Sequence, residues 1–153
     1  MRKQAVNDAK ALLTDADIAV LSTNSNTMPG FPFGSMVQFL LLESGDLCLF
    51  ISDLAQHTKN LAADGKLSLT VIEREQLGSA NAARLTVMGR ATQLARSESL
   101  VEIASFCEKY RDAEQYAMMG DFNIWLINIE RLRFIGGFGQ IFWLERDEWY
   151  AAN

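Results

Sequence analysis

The sequence predicts a mainly β domain with peripheral helices, a small closed or half-closed barrel of about six strands. Apolar residues alternate with neighbours over short runs, bounded by clusters of Gly, Pro, Asn, Asp and Ser. The first three runs follow one another through turns, without the long crossover helices that parallel winding needs. Of the 153 residues, 49% are hydrophobic, enough for one core in a chain that buries roughly 68–70% of its unfolded surface. Residues 1–153 are therefore read as a single domain.

The chain begins with Ala5, Val6, Ala9, Leu12 and Leu13 at helical spacing, which predicts an amphipathic helix over about 3–14. Residues 18–23 form a first strand, and the turn formers of 24–30 make a hairpin connection. A second strand is expected from about 32 to 42, with Pro29 and Pro32 favouring an edge-like start. After a turn at 43–46, Leu47, Leu49 and Ile51 alternate with Cys48, Phe50 and Ser52. Both sets are largely apolar, so this strand should be covered on two faces, by the core on one side and by a helix or a partner subunit on the other.

Ser52 and Asp53 are candidate caps for the short helix that follows, with Leu54, Thr58 and Leu61 inward and Gln56, His57, Lys59 and Asn60 near or beside that stripe. Asp64-Gly65 ends the helix, and Leu67, Leu69 and Val71 begin the next strand. Polar side chains on the first turns of a helix docked on a sheet suit an anion, because free amides already point there. A polar loop at 73–82 leads to a long strand over 83–94, in which Gly89 marks a bend or bulge. Ser97-Glu-Ser opens a helix with Leu100, Val101, Ile103, Ala104 and Phe106 inward, running towards Tyr110. A less regular helical turn at 111–120 precedes strands at 122–134 and 139–144, separated by Gly136-Gly137, and the tail adds a closing turn.

The formal charge of −5, from 14 basic and 19 acidic residues, argues against an extended nucleic-acid face and leaves room for a small phosphorylated ligand. Cys48 and Cys107 read as two buried reduced thiols. No apolar run approaches a membrane span and the first residues lead straight into a helix, so the expectation is a cytoplasmic protein with no membrane partner.

Four segments carry a family resemblance. SDLAQHTKNL (52–61) resembles the pattern S-x-L-A-x-H-T-x-N-L, and PFGSMV (32–37) resembles P-x-x-S-x-V. RLTVMG (84–89) and GGFGQIFW (136–143) resemble R-L-x-x-x-G and G-G-F-G-x-A-x-W. In this order they resemble the FMN-binding split β-barrels related to pyridoxamine 5'-phosphate oxidase, and in particular their heme-utilization branch.

The resemblance implies a homodimer with one cofactor at each of two clefts between subunits, the cofactor being FMN or, alternatively, heme. It implies Ser52, His57, Thr58 and Asn60 on the phosphate side, with His57 where the oxidases tend to place a lysine. Arg84 falls near an Arg-Gln pair of the oxidases, and Ser35, Met36 and Val37 lie beside the ring. Gln56 stands where the oxidases carry arginine, which makes the seat less positive.

Each of these residues also has a plainer reading. His57 serves as a local cap, Thr58 as an ordinary inward residue, Arg84 as a surface or subunit ion pair, and Phe138 and Trp143 as core or interface packing. The function expected first is FMN binding, with a flavin-dependent oxidoreductase and its small-molecule substrate left open, and not one acting on pyridoxamine phosphate. Heme binding or degradation is the alternative; there the family's C-terminal histidine has no counterpart after His57, although Asp121 keeps an acidic position. The third reading is a cofactor-free structural or regulatory dimer.

Overall fold

The computed structural model describes residues 1–151. Helix α1 (Arg2–Asp15) leads into β1 (Ala19–Asn24), β2 (Pro32–Val37), β3 (Leu40–Leu41) and β4 (Leu47–Ser52). Helix α2 (Gln56–Ala63), β5 (Lys66–Ile72) and β6 (Arg84–Gln93) follow, then α3 (Leu100–Lys109), α4 (Ala113–Met118), β7 (Phe122–Ile135), β8 (Ile141–Glu145) and α5 (Arg146–Ala151). The strands form one antiparallel sheet in the order β2-β1-β5-β6-β7-β4-β3, with β8 added on β7. It is the half-closed barrel the sequence predicts, with eight strands by this count rather than about six. The closing turn is α5, and the last two residues of the predicted tail lie outside the described range.

The extra strands arise partly where the sequence suggests one long strand. Residues 32–42 break at Gln38 and Phe39, so that β2 pairs with β1 while β3 pairs with β4 on the opposite edge of the sheet. The chain thus crosses the split of the barrel. Phe39, fully buried, fills the crossing.

A backbone that leaves one edge before joining the other needs partners for its polar groups. Tyr110, at the end of α3, supplies them: its hydroxyl accepts from the Phe39 amide at 3.2 Å and lies 2.8 Å from the carbonyls of both Phe39 and Asp17. Lys109 Nζ donates to Ala16 O at 2.9 Å and Phe39 O at 3.3 Å. Burial pushes the Tyr110 phenol up to about 12 and lowers the Lys109 ammonium from its usual value.

The inward residues line up across the strands. Leu21, Leu69, Val87, Leu132 and Leu144 are successive partners in one row, all buried. Ala5, Val6, Ala9 and Leu13 of α1 pack on the same core, as does Trp149 of α5, whose Nε1 donates to Gly45 O at 2.8 Å. Arg2 closes this end with a two-pronged pair to Glu148 at 2.6 and 2.5 Å, which pulls that carboxyl down to about 2.

Strand β4 is covered on both faces, as its pattern predicts. Leu47, Leu49 and Ile51 face the main core; Cys48 and Phe50 face a second one made with Ile103, Phe106 and Tyr110. Helix α3 therefore covers the second face within the same chain. On α3 the inward set is narrower than expected: Leu100, Val101 and Ala104 are exposed, and Ile103 and Phe106 are the buried residues of the helix. Cys48 is buried as expected, whereas Cys107 is only half-buried.

Gly89 sits at a register shift between β6 and β7, the predicted bulge. A Cβ there would lie 2.4 Å from Asn128 O, so any side chain would force the two strands apart. For the seam, removing the Tyr110 hydroxyl leaves the Phe39 amide unpaired at a buried site, while Lys109 still reaches the Phe39 carbonyl. Tyr110→Phe is expected to lower the unfolding free energy by about 1–3 kcal/mol, read by urea denaturation against the unchanged protein.

Candidate functional site

The segment that carries the strongest motif forms a corner between β4, α2 and the β1–β2 hairpin. Ser52 and Asp53 do not cap α2, contrary to the sequence expectation. The helix begins three residues later, with Ala55 at its N-cap position and no side-chain cap. Ser52 shapes the turn before it, donating from Oγ to Asp121 Oδ2 at 2.6 Å and accepting from Leu54 N at 3.1 Å. Asp53 accepts from Asn123 Nδ2 at 3.0 Å, and its amide donates to Asp121 O at 2.7 Å. Leu54, read as inward, is 75% exposed, since it lies in this turn and not on the helix.

The first backbone bond of α2 runs from Lys59 N to Ala55 O. The amides of Gln56, His57 and Thr58 precede the ladder and are open to an external acceptor. Three side-chain atoms on α2 and on a strand it packs against have unmet capacity. His57 Nε2 and Thr58 Oγ1 on α2, and Ser35 Oγ on β2, are buried without a hydrogen-bond partner; α2 packs on both β1 and β2. Burial lowers the His57 pKa below its usual 6.5, so the imidazole is neutral at pH 7. Hydroxyls and leading amides suit a carboxylate or phosphate oxygen, and the bare nitrogen of a neutral ring suits a metal or a hydrogen-bond donor.

Asn60 has a different part. It is fully buried, donating from Nδ2 to Thr23 Oγ1 at 2.9 Å and accepting at Oδ1 from Asn26 N at 3.0 Å and Gln56 Nε2 at 2.9 Å. Gln56 Nε2 also reaches Asn26 Oδ1 at 2.6 Å. This amide cluster fastens α2 to the β1–β2 hairpin, so the Asn60 side chain is committed to the scaffold. The signal for it was the Asn-Ser-Asn hairpin, which reads equally well as turn chemistry alone.

The other candidates separate by face and by distance along the sheet. Ser35 points to the side of its partner Leu21, and Val37 is buried in the core, but Met36 projects from the opposite face and is 70% exposed. Arg84 pairs with Ile135 at one end of β7, whereas Ser52 pairs with Phe122 at the other. Its guanidinium donates to Ala80 O and Ala82 O at 3.0 and 3.1 Å. Within one chain, then, His57 and Thr58 lie on α2, which packs on the strand that carries Ser35, and Arg84 lies towards the other end of the sheet. Trp125 was missed in the sequence: it is a core residue whose Nε1 is also buried and unpaired, and nothing in its spacing distinguishes it from ordinary packing. Among the described residues no group of three or more His, Cys, Asp or Glu could hold a metal ion, and no helix is long and apolar enough to cross a membrane.

Three kinds of known protein are similar to this chain. A family model described as CREG, beta-barrel matches residues 1–151. The non-canonical heme oxygenase HOZ of the Arabidopsis thaliana chloroplast is 28% identical over 99% of this chain and 48% of its own length, so the chain spans about half of that curated relative. A heme binding protein from Mycobacterium smegmatis superposes with a TM-score of 0.86 at 26% identity, over 96% of this chain and 60% of that one. A protein of the pyridoxinephosphate oxidase family from Clostridium acetobutylicum, related to a general stress protein, gives 0.72 at 15% identity over 97% and 99%, a likeness of fold.

Because the His57 pKa is depressed in the folded state, the unfolded chain binds the proton more readily below pH 6.5. The stability held at pH 7 should fall as pH drops below that value, and His57→Gln should remove this part of the slope. Chemical denaturation at pH 7 and pH 5 for the two proteins reads the difference.

Proposed function

Since the chain belongs to the CREG β-barrel family, within the heme-utilization branch of the pyridoxamine 5'-phosphate oxidase-like split barrels, we propose that it binds heme through the open N-terminus of α2. The observation that carries this reading is that three leading amides and the unpaired Thr58 Oγ1 lie at one helix start, next in sequence to the unpaired His57 Nε2. Heme carries two propionates, and a carboxylate is the chemistry that such a seat accepts. The heme-oxygenase and heme-binding relatives described above support the choice of ligand.

Bound heme would supply an iron centre, and the protein's part is to hold and shield it. His57 is the chain's single histidine and the residue that would meet the iron. Its desolvated ring is already in the neutral form a metal requires. Thr58, Ser35 and the leading amides would hold the acidic edge. The second reading is FMN, whose phosphate fits the same donors. It draws on the fold shared with the oxidase family, and Arg84 of the same chain lies at the other end of β7 from Ser52. In either reading a second copy of the chain completes the cleft, which is consistent with apolar Ile18, Val20, Met36 and Ile72 standing exposed on one sheet face.

Titration of the purified protein with hemin should give a saturable Soret change. Thr58→Val should weaken binding about tenfold, about 1.4 kcal/mol for one charge-assisted hydrogen bond, while His57→Ala should alter the band itself. A parallel titration with FMN separates the readings: a flavin change with no response to hemin favours the second, and silence in both sinks the pair.

A further inference from the structure

Tyrosine and tryptophan are the aromatic side chains that give up a single electron, and the chain has three of each. Losing an electron leaves positive charge on the ring, so a cation close to that ring opposes the loss. A base placed on the phenol favours it by taking the proton. Most of these rings lie under cations. Trp143 faces Arg131 and Arg133 at 4.2 and 4.9 Å from its ring centre, and Trp149 faces Lys10 at 5.0 Å. Tyr110 faces Lys109 at 5.2 Å and Tyr150 faces Arg146 at 5.0 Å. Trp125 has no cation over it among the described residues, but its Nε1 is buried without a partner, so no base is placed to take its proton.

Tyr116 on α4 differs in both respects. Among the described residues no cation lies over its half-buried ring, and its hydroxyl donates to Asp112 Oδ2 at 2.5 Å. That bond raises the phenol pKa and lowers that of the carboxyl, so at pH 7 the proton rests on Tyr116 and the carboxylate is ionised to receive it. Tyr150 also donates to a carboxylate, Asp46 at 2.7 Å, but it does so with the Arg146 guanidinium over its ring. The Tyr116 ring is stacked on Phe122, with 4.9 Å between centres and 14° between planes, and Phe122 pairs with Ser52 at the end of β4. Phe50 follows Phe122 at 5.7 Å and carries Arg96 at 5.8 Å, which opposes any movement of positive charge further into the second core.

We propose that Tyr116 is a redox-active residue, which yields one electron to a one-electron oxidant while its hydroxyl proton passes to Asp112. The phenol O–H bond breaks and a new O–H bond forms at Asp112 Oδ2. The products are a neutral Tyr116 phenoxyl radical, the Asp112 carboxylic acid and the oxidant reduced by one electron, so charge and atoms balance. The stack on Phe122 sets this donor one ring away from the strand end that leads into α2. Nothing in the step requires a ligand in the seat at α2, and it therefore goes beyond the proposed function.

Hexachloroiridate(IV), which accepts one electron, is the probe. The full chain, with its accessible thiol alkylated, is mixed with the oxidant and rapidly frozen for electron paramagnetic resonance, and a neutral tyrosyl signal is expected. Tyr116→Phe should reduce that signal at least about fivefold, whereas Tyr150→Phe should change it less than about twofold. Asp112→Asn should slow radical formation about tenfold at pH 7 and make its rate rise with phosphate concentration, because an external base must then take the proton. The unchanged protein should not respond to phosphate. A merely structural loss would not bring that dependence, and thermal melting of each variant checks that the fold is kept. A tyrosyl signal that survives in Tyr116→Phe, a signal from tryptophan in its place, or no radical in the unchanged protein overturns the assignment of Tyr116. An Asp112→Asn rate equal to that of the unchanged protein and blind to phosphate overturns Asp112 as the proton acceptor.

Discussion

The fold depends on how the chain crosses the split in its barrel. One stretch, residues 32–42, serves both edges of the sheet, and the backbone between the two pairings is buried. Tyr110 and Lys109 make this crossing stable by presenting polar groups to the carbonyls of Ala16, Asp17 and Phe39. Because both residues sit at the end of α3, the helix is fixed to the seam at the same time. Phe106 and Ile103 then lie against Cys48 and Phe50, and the second face of β4 is closed from within the chain. One hydroxyl and one ammonium thus couple the barrel, its crossing segment and the covering helix.

That arrangement also positions the corner proposed as a ligand seat. Strand β4 is locked on both faces, so its end at Ser52 is fixed, and the Ser52–Asp121 bond sets the turn into α2. The Asn60 cluster holds the far side of the helix to the β1–β2 hairpin. With both sides held by other groups, the helix start keeps its amides uncapped. Serine and aspartate stand immediately before the helix and would ordinarily cap it; tertiary bonds to Asp121 and Asn123 draw them away instead. The open start is therefore a consequence of the surrounding polar network.

The sheet faces divide the remaining chemistry. Alternation along β2 sends Ser35 towards the helix and Met36 to the outer face, so two neighbours in sequence belong to different surfaces. Arg84 likewise belongs to the outer face and the loop at 80–82. A seat with neutral donors in one chain and arginines on a separate surface is a natural arrangement for a protein whose complete site involves a second copy, which is the reading proposed above.

The sequence by itself determined the elements and the class of the fold. The two-faced pattern of β4, the bulge at Gly89 and the helix stop at Asp64-Gly65 were legible because each depends on side-chain periodicity or on local backbone freedom. The four ordered motifs made the split-barrel family legible as well. What only the tertiary structure decided was the outcome of competitions between partners distant in the chain. Whether Ser52 caps a helix or binds Asp121, whether Asn60 faces a ligand or Thr23, and whether the backbone at Phe39 is held by Tyr110 are settled by groups 37 to 71 positions away. Hydrogen-bonding capacity is written in the residue type, but its recipient is chosen by the packing, and for that reason the fold was more readable than the site.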